Sequence, residues 1–251
     1  PQEVDARTGR ALSWVGTTPG TWAGALAVYA RIDSNRSRAM RYLQAAQRCG
    51  TYYLRNYVER ERYIGGPYDT FMAPNMEDPY NLLMAYGELF RTTGSLRWRA
   101  AAKKVADHLL SWRYLYDVRF PDGTICRHQG VKTFAMSPAS VSNKHMQNWD
   151  TLADVYLLKL AGWLKESFYR EEALQHLRAS TQLVQEGRLP KQIPPGGQSE
   201  QWYATEFFWF GDCGGYGKGN LWQVSVVLPK AGFLLALEEL KHHTQVTPAK
   251  L

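Results

Sequence analysis

The chain lacks a hydrophobic run long enough to cross a membrane. Its longest apolar runs are ALAVYA at 25–30 and GFLLAL at 232–237, whereas a membrane-spanning helix needs about 20 such residues. The first residues, PQEVDARTGR, have no apolar stretch behind them, so we expect no signal peptide in this sequence. We therefore expect no membrane-spanning helix in this sequence.

Cysteine is scarce, and the three thiols are too widely spaced for a metal site. Cys49, Cys126 and Cys213 form no CxxC pair and no Cys/His spacing typical of zinc. We therefore expect no metal and no cofactor. Cys126 and Cys213 fall in long loops, where they either form a disulfide or stay reduced. The sequence leaves the compartment open, and a secreted or periplasmic location is slightly favoured over a cytoplasmic one.

Acidic residues are outnumbered by basic ones, 23 to 30, which gives a net charge of +7. This balance favours an anionic partner. The basic residues are spread along helical segments such as RSRAMR and RWRAAAKK, as on a solvated outer face, so we expect no nucleic-acid partner. Aromatic residues are abundant, with 9 Trp and 15 Tyr, and they suit partly open clefts as well as cores.

Convincing period-two strands are also absent, and helical periodicity dominates the chain. Three-to-four spacing of apolar residues predicts helices at 21–32, 36–60, 80–93, 96–116, 149–165, 168–187 and 224–240. Pro229 is expected to kink the last helix or to mark its start. The stretch DVRFPDGTICRHQG is expected to form at most a small hairpin around Asp122 and Gly123.

Short turns join these helices in pairs. Gly94 and Ser95 are placed to end one helix and cap the next. Ser167 follows a similar turn without glycine, and Asp33-Ser34-Asn35 forms the first turn. The turns recur roughly every 60 to 75 residues, which indicates a divergent repeat of αα-hairpins.

Long loops separate the hairpins. Because the short turns occupy one end of the hairpins, the long connections emerge together at the other end. Loops of this length are uncommon in compact domains unless they have a function. We therefore predict one working face, at which segments 61–78, 118–150 and 188–222 meet.

Two segments carry a resemblance to a known architecture. DPYNLLMAYGELFRTTGSLRWRAAAKKVADHLLSW at 78–112 has a helix ending in a Thr-Gly-Ser turn, an aromatic residue three positions after Ser95, and the alanines of the next helix. WDTLADVYLLKLAGWLKESFYREEALQHL at 149–177 is a second copy. In these residues the chain resembles the six-hairpin glycosidase superfamily and the related α/α-toroid polysaccharide lyases.

The resemblance implies an all-α fold in which an αα-hairpin repeat forms a partial or complete (α/α) toroid, with long loops on one face. We expect a single domain over residues 1–251. A full toroid of this kind has six hairpins, and about three and a half are counted here. The chain is therefore expected to be an open toroid or a piece of a larger six-hairpin domain.

Loop carboxylates are candidates for hydrolysis of a glycosidic bond, which uses one protonated and one ionised carboxyl group. Asp150 stands at a helix start, and Glu206 lies among aromatic residues that favour its neutral form, as a general acid requires. These two are the preferred catalytic pair, with Asp69 and Asp78 in reserve.

Each candidate carboxylate also has a structural interpretation. Asp78 precedes Pro79, the arrangement of an N-cap followed by a first-turn proline. Asp150 fits a first-turn acid that complements the helix dipole. Glu206 fits a buried hydrogen-bonding residue. The sequence leaves these alternatives open.

Aromatic residues crowd the third loop, together with glycines. Sugar rings present apolar C–H faces that stack on aromatic rings, so this composition suits a saccharide cleft; the alternative is a hydrophobic plug. The expected substrate-binding aromatic residues are Trp149, Trp202, Tyr203, Trp209 and Trp222.

A second set of loop residues suits elimination at a uronic acid. The resemblance to toroid lyases implies a base for the C5 proton and an acid for the leaving oxygen, for which His145 and Tyr203 are available. Arg127 and Asn143 would neutralise the substrate carboxylate. His128 is a further substrate-binding candidate and, with His145, would suit a sugar epimerase. The alternative role for His145 is a surface hydrogen-bond network.

Together these patterns predict a carbohydrate-active enzyme, specifically a glycoside hydrolase acting on a neutral or anionic oligo- or polysaccharide through a loop-face carboxylate pair. A polysaccharide lyase is the alternative within the same class. A non-catalytic helical-repeat binding domain is the alternative from another class, since hairpin arrays often form interaction surfaces and the fold alone assigns no activity.

Overall fold

The chain consists mainly of helical hairpins, with few strands, so its all-α fold class is confirmed. The computed structural model describes residues 3–65, 73–141, 145–147, 150–182, 184, 186–187, 195–203, 221–225 and 228–243. The chain divides into two compact units, Pro1–Ser111 and Trp112–Leu251. Within the described ranges, no helix is long and apolar enough to cross a membrane. That the hairpins close into a toroid stays a prediction.

Unit 1 contains two helical hairpins and a small antiparallel sheet. The sheet pairs β1, Glu3–Val4, with β2, Ala11–Ser13. The helices are α1, Gly20–Ile32, α2, Arg36–Tyr53, α3, Glu77–Thr93, and α4, Leu96–Leu110. Helix α1 packs against α2 and α3, and α3 packs against α4. The first two predicted hairpins are therefore confirmed.

The turns of unit 1 agree closely with the sequence expectation. The Asn35 side chain caps α2 by accepting a hydrogen bond from the backbone N–H of Arg38 at 2.9 Å. Gly94 ends α3 with a φ of 67°, in the left-handed region that favours glycine. Ser95 occupies the N-cap position of α4, but its side chain makes no capping hydrogen bond.

The end of α2 differs from the expected continuous helix over 36–60. A π-helical turn, Leu54–Val58, comes directly after the last α-helical residue, Tyr53. The turn buries Tyr57, whose hydroxyl donates to the carbonyl of Trp14 at 3.0 Å and accepts from the backbone N–H of Gly16 at 3.1 Å. The π-helical turn therefore ties α2 to the segment that leads into α1.

Unit 2 contains the third hairpin and two further helices. Its helices are α5, Ile125–His128, α6, Thr151–Leu164, α7, Ser167–Ser180, and α8, Leu228–His243. Helix α6 packs against both α7 and α8. Lys165, with a φ of 59°, takes the left-handed position that ends α6. Pro229 lies in the first turn of α8, which confirms that it marks a helix start.

A four-stranded antiparallel sheet also forms in unit 2, although the sequence contains no convincing period-two pattern. Its strands are β3, Ser137–Pro138, β4, His145–Gln147, β5, Gln198–Tyr203, and β6, Leu221–Ser225, in that spatial order. Strands β3 and β4, of two and three residues, are too short to display alternation, and β4 and β5 come from distant segments. The small hairpin considered at Asp122 and Gly123 does not form, since Gly123, with a φ of 82°, leads into α5.

The sheet joins two of the three loop segments predicted to meet. Strand β4 comes from segment 118–150, and β5 and β6 come from segment 188–222 and its continuation. Their pairing confirms the meeting of these two segments inside unit 2. Segment 61–78 belongs to unit 1, and its place on a common face stays a prediction.

Candidate functional site

Strands β4 and β5 pair in a defined register. Met146 lies opposite Trp202, and both side chains are buried in a hydrophobic cluster that includes Phe120. The next pair in the register is His145 opposite Tyr203.

Trp202 is consequently a core residue. Its side chain is 1% exposed, and its ring centroid lies 6.0 Å from that of Phe120. This placement corrects the expectation that Trp202 lines an open saccharide subsite. Cys126 belongs to the same cluster, where burial raises the pKa of its thiol to about 12, so the thiol is protonated at neutral pH.

Unit 2 also contains a set of buried charges that we call the charge cluster: Arg113, Asp150, Asp154 and His176. Nδ1 of His176 lies 2.6 Å from Oδ2 of Asp154, and Nε2 lies 3.0 Å from Oδ1 of Asp150. The first contact is a hydrogen bond; in the second the atoms are at ion-pair distance without hydrogen-bond alignment. Nη2 of Arg113 contacts Oδ1 of Asp154 at 3.0 Å.

Helix geometry explains why these residues meet. Asp150 and Asp154 are four residues apart at the start of α6 and therefore project on the same side of the helix. Asp150 occupies the N-cap position but makes no side-chain capping hydrogen bond, which leaves its carboxylate facing His176 on α7. Nη1 of Arg113 donates to the carbonyl of Glu172, which fixes the guanidinium against α7.

Electrostatics of the charge cluster favour a protonated histidine. Burial alone would lower the pKa of His176, but the adjacent Asp150 and Asp154 carboxylates outweigh burial and raise it to about 9. Burial raises the pKa of Asp154, and the opposing effects of His176 and Arg113 reduce this rise. Arg113, His176 and the two aspartates thus face one another in a buried site.

Sequence reasoning found Asp150 but missed the other three members of the charge cluster. Asp154 is separated along the chain from Arg113 by 41 residues and from His176 by 22 residues. In the sequence, Arg113 and His176 resemble ordinary residues on a helix surface. The available signal was the i, i+4 pair of aspartates on α6, which has no basic residue between its members.

Asp78 has a structural role in unit 1, where hydrogen bonds hold its carboxylate. It is completely buried, and its Oδ1 accepts hydrogen bonds from the backbone N–H and the hydroxyl of Thr17. Its Oδ2 accepts from Nδ2 of Asn75 at 2.6 Å. The expected N-cap role is corrected, because Asn75 instead accepts from the backbone N–H of Asp78 at 2.9 Å. Asp78 joins the start of α3 to the segment before α1.

The remaining candidates are either at the surface, on the strands or outside the described residues. Arg127 and His128 lie exposed on α5, and Arg127 forms an ion pair with Asp122 at 3.2 Å. Tyr203 and Trp222 lie on β5 and β6. The candidates outside the described residues are Asp69, Asn143, Trp149, Glu206 and Trp209.

Comparisons with known proteins indicate similarity only at the level of fold. No protein-family model and no curated protein sequence matches the chain. Among solved structures, the chain is similar to a cellobiose 2-epimerase from Spirochaeta thermophila DSM 6192, with 14% sequence identity and a TM-score of 0.36. The alignment covers 90% of this chain and 70% of the epimerase chain. At this identity no residue role transfers from one protein to the other.

Proposed function

We propose that the chain is a carbohydrate-active enzyme that cleaves glycosidic bonds of an oligo- or polysaccharide. The observation that carries the proposal is the sheet of unit 2, in which segments 137–147 and 198–225 pair. This pairing brings the segment that ends at Asp150 beside the aromatic-rich segment that contains Tyr203 and Trp222. A saccharide cleft uses aromatic and carboxyl residues, and these two segments contain both types.

Hydrolysis is the first form of the proposal. Asp150 acts as the base or nucleophile of the carboxylate pair, and Nε2 of His176 lies 3.0 Å from its Oδ1. Glu206 protonates the glycosidic oxygen as the general acid. Asp150 is 3% exposed, and Asp154, which also pairs with Arg113, holds His176 in position beside it.

Elimination is the second form, and the strand register favours it. His145 and Tyr203 are directly opposite each other in the β4–β5 pairing, so both positions lie on one face of the sheet. In this form His145 removes the C5 proton of a uronate and a C4–C5 double bond forms as the C4–O bond breaks. Tyr203 donates its proton to the leaving oxygen.

Product analysis distinguishes the two forms. The chain is incubated with a panel of neutral glycans and a panel of uronate-containing glycans. New reducing ends without the ultraviolet absorbance of an unsaturated uronate support hydrolysis, and the appearance of that absorbance supports elimination. Absence of product from every glycan contradicts both forms and favours a binding domain.

Variants then test the named residues. We expect Glu206→Gln to abolish hydrolysis and to leave the unfolding temperature unchanged, whereas Glu238→Gln, an exposed surface change on α8, leaves hydrolysis intact. For elimination, His145→Ala is expected to remove activity. Wild-type turnover by Glu206→Gln contradicts the hydrolytic mechanism, and full elimination by His145→Ala contradicts the assignment of the base.

A further inference from the structure

A cavity of about 520 Å³ lies in unit 1 between α2 and the start of α4. None of the residues discussed above as catalytic candidates lines it. Small-molecule sites commonly have volumes of about 300–1,000 Å³, so its size is that of a ligand site.

One wall of the cavity is a polar face of α2. Gln44, Gln47, Arg48 and Thr51 line it, and their spacing of three and four residues places them on one side of the helix. Arg48 is exposed, and within the described part of the chain its guanidinium takes part in no ion pair. This wall presents the guanidinium of Arg48 beside two carboxamides and a hydroxyl.

The other wall is the first turn of α4, where Ser95, Arg97 and Trp98 line the cavity. Cζ of Arg97 lies 4.8 Å from the centroid of the Trp98 ring, a cation–π contact that orients the guanidinium. Trp98 is itself fixed, since it is 3% exposed and stacks on Tyr86 at 5.8 Å. A second, oriented cation therefore faces the cavity.

Among the residues that the structure describes, no carboxylate lines the cavity, so the two guanidinium groups face it without a counter-charge in its walls. Guanidinium forks match the geometry of carboxylate and phosphate oxygens. Carboxamides and hydroxyls both donate and accept hydrogen bonds, which suits the hydroxyl groups of a sugar. We infer that this cavity binds a sugar that carries an oxyanion, either a carboxylate or a phosphate. The inference does not depend on the proposed cleavage activity.

Isothermal titration calorimetry of the full chain tests the inference. The probes are glucuronate and glucose 6-phosphate, with glucose and inorganic phosphate as controls for the ring and for the anion. We expect at least one sugar anion to bind at least tenfold more tightly than either control. The tighter of the two sugar anions identifies whether the cavity prefers a carboxylate or a phosphate.

Paired variants locate the site. The double variant Arg48→Gln/Arg97→Gln is expected to weaken binding of the sugar anion at least tenfold. Arg41→Gln, on α2 but outside the cavity lining, is the control and is expected to change the affinity less than twofold. If the double variant unfolds, the single variant Arg48→Gln replaces it, since Arg48 makes no ion pair with any residue that the structure describes. Unchanged affinity in these variants overturns the inference, as does equal binding of glucose or of inorganic phosphate, or binding of no probe.

Discussion

Nδ1 of His176 lies 2.6 Å from Oδ2 of Asp154, and neither side chain has any exposed surface. The contact joins α7 to α6 through charges rather than through apolar packing. Buried charges are tolerated when each has a partner, and removal of one partner leaves the other in a medium of low polarity. The charge cluster is therefore a place where single substitutions have large effects.

We expect His176→Gln to lower the free energy of unfolding by about 3–5 kcal/mol, because it leaves Asp150 and Asp154 without their shared cation. Urea denaturation at pH 7 measures the change. His242→Gln is the control: His242 is 72% exposed, and we expect its substitution to change stability by less than about 0.5 kcal/mol. Equal stability of the two variants contradicts the ion-pair interpretation.

The pH dependence of stability depends on the same histidine. The pKa of His176 is about 9 in the folded chain, above its ordinary value of 6.5, so the folded chain binds the proton more tightly. The stabilisation from His176 is complete below pH 6.5 and is lost as pH rises through 9, by up to about 3 kcal/mol.

Unfolding of the native chain and of His176→Gln at pH 7, 8 and 9 measures this contribution. Other groups titrate in both proteins, so the stability difference between the two isolates His176. We expect the difference to shrink as pH rises. A difference that stays constant from pH 7 to pH 9 means that His176 is not protonated in the folded state.

Asp78→Asn separates a structural from a catalytic role for this carboxylate. Both oxygens of Asp78 accept hydrogen bonds from donors on Thr17 and Asn75, and an amide would direct its NH₂ group at one of these donors. We expect the free energy of unfolding to fall by about 1–3 kcal/mol. Asp107→Asn, at a half-exposed surface ion pair, is the control. An Asp78→Asn variant that keeps native stability but loses glycan cleavage supports the catalytic role instead.

Gly232→Ala tests the packing of α8 on the first turn of α6. A Cβ at Gly232 would collide with Oγ1 of Thr151 and would lie 2.8 Å from the backbone nitrogen of Leu152. We expect a loss of about 2 kcal/mol or more, despite the better helix propensity of alanine.

Gly24→Ala is the matched control in α1. A Cβ there would meet its nearest atoms, in Ala85 and Met84, at 3.4 Å. We expect unchanged stability or a gain of up to about 1 kcal/mol from helix propensity, measured by the same denaturation experiment. A Gly232→Ala variant as stable as Gly24→Ala means that α8 and α6 do not approach closely.

Local signals made the hairpins predictable from sequence. Gly94 marks a helix end because glycine enters the left-handed region without a steric penalty, and Asn35 marks a helix start because its side chain accepts from the first turn. Each signal involves residues that are neighbours in sequence. Lys165 occupies the same left-handed position as Gly94, but lysine gives no such signal.

The sheet and the charge cluster depend on contacts between distant residues. His145 pairs with Tyr203, but the two residues are far apart in sequence, and a periodic pattern within one segment does not show which other segment pairs with it. Strand β4 is also too short to show alternation. His176 was missed because nothing near it in sequence identifies its partners, Asp150 and Asp154. Trp202 was misplaced for a similar reason. The composition of its segment does not distinguish a tryptophan that packs in the core from one that lines an open cleft.

The π-helical turn Leu54–Val58 bears on how this sequence tolerates changes in length. A π-helical turn accommodates one residue more than an α-helical turn, and each residue added to a helix rotates the later residues by about 100°. Deletion of one residue from this turn would restore a regular helix and would rotate the residues after it away from their present direction. Related chains with a one-residue gap at this place would therefore lose the anchorage of Trp14 and Gly16 by Tyr57 and would need another residue to hold the segment before α1.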